Sequence, residues 1–362
     1  MKEKITASSK ITEAQNIGTA TGKPYAYVVN WDSFQSLQLL SALLNKKVQV
    51  RFAEKDFESE GKKYVAGSLI ITRAGNEKLG ESFDKIVSEA SQRLSVSVAA
   101  IKSGAVTQGS DFGSGYVSVI KAPKVAVIGG NSVSPTAFGD IWHYFDQQID
   151  YPVTVIDASY LGNVDFSAFN VMILPSGSYG NILTEKRLED LSEWVNKGGK
   201  LIALDNAVAS LAGKAGFEIK KKEDKKEDPK QDSYELLKNY GNRERESLSE
   251  DIPGAIYRLD LDNSHPLAFG FSKSFMVLKG NGTPYAFLKP GMGWNVGTIK
   301  TNNHISGFVG SKTKAKLVNS VVFGVQDMGN GKVIYLTDSP IFRGFWHSGK
   351  LLFGNAVFLV GN

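Results

Sequence analysis

Ala203-Leu-Asp-Asn-Ala207 sets a carboxylate between an apolar, strand-like run and the start of a short helix, with a small residue two positions to either side. That is the spacing a nucleophile elbow requires, because the turn is tight and a bulky neighbour would collide with the adjoining strand and helix. A carboxylate held there can act as a covalent nucleophile, provided a base and a placed water complete the turnover. No histidine follows Asp205 where such a base would stand in the chain order of an elbow enzyme. The competing role is structural: an aspartate that opens a helix accepts backbone N–H bonds and offsets the positive dipole end. The expectation is therefore no catalytic residue, with a hydrolase built on Asp205 as the alternative.

The remaining candidates are weaker. The four histidines, His143, His265, His304 and His347, fall in none of the spacings that put two ligands on one zinc ion. No metal site and no cofactor is expected in this chain. His143 and Asp146 stand one helical turn apart, which predicts a local hydrogen bond. Ser114 and Ser178 lie in glycine-rich stretches without a strand-to-helix context, so both read as turn residues. Gly129-Gly130 follows a strand but lacks the spaced third glycine of a dinucleotide loop. If the chain binds a peptide or a glycan, the crevice after Leu174 and Leu204 is the place, with Ser176, Gly177, Ser178, Asn206 and His143 as the candidate contacts. Phe342, Phe345 and Trp346 read as core or as an aromatic rim.

Positioning these residues calls for a parallel sheet. Lys124 to Gly130, Val153 to Ile156, Val171 to Leu174 and Lys200 to Leu204 are short apolar runs of the kind buried on both faces. Between them lie helical stripes. Phe138, Ile141, Trp142, Phe145 and Ile149 follow Ser134-Pro135, while Leu188, Leu191 and Val195 follow Thr184, with Leu183 and Leu188 as a staple around that cap. Alternation with short loops predicts a doubly wound, flavodoxin-like α/β domain over residues 121–362, ligand crevice at the strand C-termini. A smaller α/β domain is expected over 21–120, from the strand at Tyr25 to Val29, the helix through Phe34 to Leu44 capped by Asp32 or Ser33, the Phe57 to Tyr64 hairpin and the run Gly67 to Thr72. Short strands, read at Ile256 to Leu261, Phe275 to Leu278, Val321 to Val325 and Lys332 to Leu336, then precede a last helix over Lys350 to Leu359.

Composition narrows the classes. The 362 residues contain no cysteine, which removes disulfides, cysteine zinc sites and a cysteine nucleophile. The net charge of +5 is spread among interleaved acids and lysines, so nucleic-acid binding is not expected. No apolar run reaches the ~18 residues of a membrane span. Residues 1–20 read as a polar lead-in without a signal core. Lys220 to Asp232, with six lysines against five acids and no large apolar residue, is expected to be a charged loop.

Two resemblances add to this reading. Asn170-Val-Met-Ile-Leu-Pro-Ser-Gly177 and Ala203 to Ala207 resemble the oxyanion strand and the elbow of the class I glutamine amidotransferase-like fold, with aspartate where that family has its cysteine. The chain as a whole resembles the C-terminal region of large secreted bacterial zinc carboxypeptidase-like proteins, of the carboxypeptidase A superfamily. Ala26 to Trp31, Val50 to Lys55, Gly67 to Asn76, Asp111 to Gly115, Phe138 to His143 and Phe342 to His347 carry that likeness. It implies a non-catalytic accessory region that packs on or positions a peptidase domain preceding residue 1, in the periplasm or outside the cell. Zinc would belong to that domain, since no position here matches its ligands.

Overall fold

The computed structural model describes residues 23–223 and 239–362, arranged as two compact units that divide between Val119 and Ile120. The lead-in at 1–20 and residues 224–232 of the charged run lie outside the described residues.

The first unit contains β1 (Ala26–Val29), α1 (Phe34–Asn45), β2 (Arg51–Ala53), β3 (Phe57–Ser59), β4 (Lys62–Tyr64), β5 (Leu69–Thr72), α2 (Ser82–Arg93), β6 (Ala99–Ile101) and β7 (Val117–Val119). Its sheet runs β6-β1-β5-β2-β7, every neighbour antiparallel, with β3 and β4 as a separate hairpin. Ser33 caps α1 by accepting the Ser36 N–H, which settles the choice between Asp32 and Ser33. β1 and β5 are buried along their whole length, so their apolar residues pack on both faces.

The second unit holds the parallel sheet. Its first half comprises β8 (Val125–Gly129), α3 (Pro135–His143), β9 (Val153–Asp157), β10 (Val171–Leu174), α4 (Glu185–Asn196), β11 (Lys200–Leu204) and α5 (Asn206–Leu211). There follow α6 (Arg243–Glu250), β12 (Gly254–Leu261), β13 (Ser274–Lys279), β14 (Gly293–Ile299), β15 (His304–Phe308), α7 (Ser311–Leu317), β16 (Ser320–Met328), β17 (Gly331–Leu336) and α8 (His347–Phe358). The strand order is β13-β12-β14-β16-β17-β11-β10-β8-β9. From β9 to β17 every neighbour is parallel, whereas β16, β14, β12 and β13 extend the sheet antiparallel and β15 pairs with β12. Counted within the parallel half, the order is the 2-1-3-4-5 of a flavodoxin-like sheet.

The local physics follows the side chains. Alternate residues of the parallel strands, among them Ile128, Met172, Leu174, Leu201, Ala203 and Tyr335, join Leu188, Leu191 and Val195 of α4 and Val208 of α5 in one core. Residues of the other parity, such as Val127, Ile173, Ile202 and Ile334, are equally buried. Helix α8 is buried from Gly349 to Phe358, and its one buried side-chain amide, Asn355, donates to the Leu267 and Phe269 carbonyls. Helix α3 opens on the Ser134 cap with Pro135 in its first turn and winds into a π-turn over Tyr144–Gln148. Thr184 caps α4 through the Arg187 N–H, and its staple residues Leu183 and Leu188 are both buried.

Two expectations change here. Lys220 to Lys222, the start of the charged run, is tied to the sheet: Lys221 bridges Tyr285, and Lys222 donates its N–H to Pro284 and its Nζ to the Val318 carbonyl at 2.7 Å. Strands β14 and β15 and helices α6 and α7 stand in a region read as fewer elements; glycine breaks the alternation of the two strands, and Gly297 sits at a register shift of β14.

Candidate functional site

Asp205 follows β11 with φ 48° and ψ −118°, a conformation that non-glycine residues rarely adopt. Its N–H donates to the Leu336 carbonyl at 2.7 Å, so the turn is locked to the end of β17. Ala203 and Ala207 flank it, both fully buried, and any larger side chain there would press into the core beneath. The strand-to-helix turn thus has the backbone of an elbow. Strain of this kind is on the order of 1–3 kcal/mol and persists only where surrounding structure imposes it.

The side chain does not cap α5. This corrects the expectation of a capping aspartate, and the cause is the left-handed φ, which turns the carboxylate away from the helix N–H groups that a cap in the extended region would meet. Its partners are instead long-range. Oδ2 accepts from Ser176 Oγ at 2.9 Å, and Oδ1 accepts from Asn281 Nδ2 at 2.8 Å. Asn281 is fixed in turn, donating to the Thr337 carbonyl at 3.3 Å and accepting from the Thr283 N–H at 2.8 Å.

Beside this half-buried group lies a buried ion pair. Lys279, at the end of β13, and Asp338, just past β17, meet at 2.7 Å with side chains 1% and 3% exposed. Gly280 adds an N–H to the other Asp338 oxygen at 3.2 Å. Burial raises the Asp338 carboxyl above the ordinary range, Lys279 opposes that, and the charge of Asp205 adds to it. The Tyr285 hydroxyl is buried without a hydrogen-bond partner among the described residues. Burial pushes its pKa upward, with Asp205 and Asp338 both contributing. Neither Asn281 nor the Lys279–Asp338 pair was legible beforehand, because their segments carry no motif and reach the elbow only through strand order.

Of the predicted contacts, Ser176 joins Asp205 directly. Gly177 packs its backbone against the β8–α3 loop: a Cβ there would stand 2.6 Å from the Ser132 carbonyl, so the site admits no side chain. Ser134 and Ser178 exchange backbone bonds with Ser176 and Ser132 across that approach. Ser178 and Asn206 are exposed. His143 is placed elsewhere, its Nδ1 2.9 Å from Gln148 Nε2. That replaces the expected bond to Asp146, which pairs with Gln147, because the π-turn that begins at Tyr144 shifts the register that would have aligned positions 143 and 146. The other histidines are engaged locally: His265 accepts from the Leu267 N–H, His304 lies 3.0 Å from the Gly307 carbonyl, and His347 lies 3.2 Å from Lys350 Nζ. Phe342 is half-buried and Phe345 exposed, while Trp346 donates to the Met276 carbonyl.

No protein-family model matches the chain, and no curated protein sequence does. Among solved structures it is similar to a protein described as ThuA-like from Parabacteroides merdae, at 14% identity over 65% of this chain and 89% of that one, TM-score 0.43. A protein described as part of a GMP synthase from Thermoplasma acidophilum aligns at 10% identity over 65% and 92%, TM-score 0.39. A glutamine amidotransferase from Thermotoga maritima aligns at 10% identity over 65% and 96%, TM-score 0.37. The α/β class rests on the parallel strand order itself.

Among the described residues, the arrangement gives a carboxylate with two neutral donors and no imidazole among its partners. Ser176 and Asn281 hold the group in place, and neither can take a proton from an attacking water.

Proposed function

We propose that this chain is a non-catalytic accessory region of a zinc carboxypeptidase-like protein, exported with it, and that its elbow serves as a rigid joint between loops. The supporting observation is the occupation of both Asp205 oxygens by Ser176 and Asn281. A carboxylate nucleophile needs a base and a placed water to finish the turnover, whereas the hydroxyl and amide donors on this carboxylate supply no base and tie the ends of β10, β11 and β13 together. The likeness of Ala26 to Trp31 and of the other quoted segments supplies the peptidase context.

The second reading, a hydrolase using Asp205, draws on the strained elbow backbone, since strain gathers at functional turns. Peptide, amide and ester substrates offered with and without zinc decide between the two. The expected result is no turnover above buffer and no stoichiometric zinc by elemental analysis. Activity lost in Asp205→Asn at unchanged melting temperature would replace the first reading by the second. An open reading frame holding this chain without a peptidase domain would remove the accessory part of the proposal.

A further inference from the structure

At the end of β17 remote from Asp338, an open cavity of about 330 Å³ is lined by Asp262, His265, Trp294, Val325, Asp327 and Lys332. Its size lies at the lower end of the roughly 300–1,000 Å³ that small-molecule sites occupy. Strand register builds it. Trp294 of β14 lies opposite Val325 of β16, and Asp327 lies opposite Lys332 of β17, whose Nζ donates to Asp327 Oδ1 at 2.5 Å. The loop after β12 brings His265 to 6.2 Å from the Trp294 ring.

Each group has chemistry left over. Trp294 is 53% exposed, a large apolar face that serves no core packing and stands at the rim of a polar cavity. His265 accepts the Leu267 N–H at Nδ1, so the neutral ring carries its proton on Nε2 as a donor. Burial lowers its pKa to about 4, which keeps the ring neutral at pH 7. Asp262 has one oxygen engaged by Ser264 and a second available to accept. Asp327 likewise keeps an oxygen beyond its bond to Lys332.

We propose that this cavity binds the neutral ring of a carbohydrate, stacked on Trp294 and hydrogen-bonded by Asp262, Asp327, Lys332 and His265. A sugar ring has an apolar C–H face for the indole and hydroxyls that both donate and accept, which matches acceptors at Asp262 and Asp327 and donors at Lys332 and His265. Two carboxylates against one ammonium leave no positive excess for a phosphate or a carboxylate ligand. The site lies at the opposite end of the parallel strands from Asp205 and does not depend on the accessory reading.

Calorimetric titration of the whole chain with cellotetraose, mannotetraose and chitotetraose tests the proposal. One of them is expected to bind one-to-one, with affinity lowered by roughly tenfold or more in Trp294→Ala and in Asp327→Asn. Trp294→Tyr, which keeps an aromatic face, is expected to retain most of it, and Asp327→Asn carries the test if the alanine variant fails to fold, binding undiminished in that variant then overturning the proposal. Asp205→Asn is expected to leave binding unchanged. The proposal is overturned if none of the three binds, if Trp294→Ala binds as well as the unaltered chain, or if arginine methyl ester binds through Trp294 and the sugars do not. Binding lost in Asp205→Asn and kept in Trp294→Ala would move the ligand to the elbow and also overturn it.

Discussion

The hydroxyl of Ser176 donates to Oδ2 of Asp205 at 2.9 Å, joining two turns that are 29 positions apart in sequence and lie at the ends of neighbouring parallel strands. With Asn281 on the other oxygen, the carboxylate acts as a hub for three loops.

Substitutions at Asp205 separate strain from bonding. Asp205→Asn keeps an acceptor for Asn281 and a group that Ser176 can meet, so it is expected to cost less than about 1 kcal/mol. Asp205→Ala loses both bonds at a position where φ is 48°, with an expected cost of about 1–3 kcal/mol. Asp205→Gly loses the same bonds and relieves the strain, so it should be more stable than the alanine variant by roughly 1 kcal/mol. Urea denaturation of the three variants measures the order, and an alanine variant more stable than the glycine one would contradict the strain argument.

Breaking the buried pair is expected to be the most damaging polar change in the second unit. Lys279→Met leaves Asp338 without its counter-charge in the interior, at an expected cost of about 3–5 kcal/mol. The combined change Lys279→Met with Asp338→Leu removes both charges and should recover much of that loss. Thermal unfolding of the single and double variants gives the coupling directly, and additive effects would mean that the two groups do not act as a pair.

Tyr285 offers the reverse case. Its hydroxyl is buried with no partner among the described residues, so Tyr285→Phe gives up nothing that was bonded. Stability should be unchanged or rise by up to about 1 kcal/mol. A clear destabilisation in chemical denaturation would show that the hydroxyl is satisfied in solution.

Lys200 sets a pH dependence. Lys200 is 7% exposed, its Nζ donates to the Val357 carbonyl at 2.9 Å, and burial lowers its pKa from 10.5 to about 7. Between those values the unfolded chain holds a proton there that the folded chain does not, so stability rises with pH from about 7 towards 10. The slope is at most about 1.4 kcal/mol per pH unit. Lys200→Met should flatten the rise between pH 7 and 9.5 in denaturation midpoints, and an identical slope in that variant would assign it to other groups.

Much of the second unit was legible because its information is local. The runs Val171 to Leu174 and Lys200 to Leu204 form strands with those bounds, since an unbroken short apolar stretch is stable only when both faces are covered. Thr184 and Ser134 cap their helices because a cap needs only its own N–H neighbours three residues on. The two alanines around Asp205 announced a tight turn for the same reason. By contrast, the glycine-interrupted strands β14 and β15 carry no such stretch, and their pairing is decided by strands already in place.

What Asp205 does in that turn was decided by the tertiary structure alone. An aspartate before a helix reads as a cap, yet the hydrogen bond from its N–H to Leu336 and the positive φ point its carboxylate at Ser176 and at Asn281, 76 positions away. Trp294, His265 and Asp327 likewise share no spacing and meet only because β14, β16 and β17 lie side by side. Sequence determines which segments must be buried and where they turn, because burial and capping act within a few residues. Which turns face one another depends on strand order, and strand order is settled by the whole sheet closing its hydrogen bonds at once.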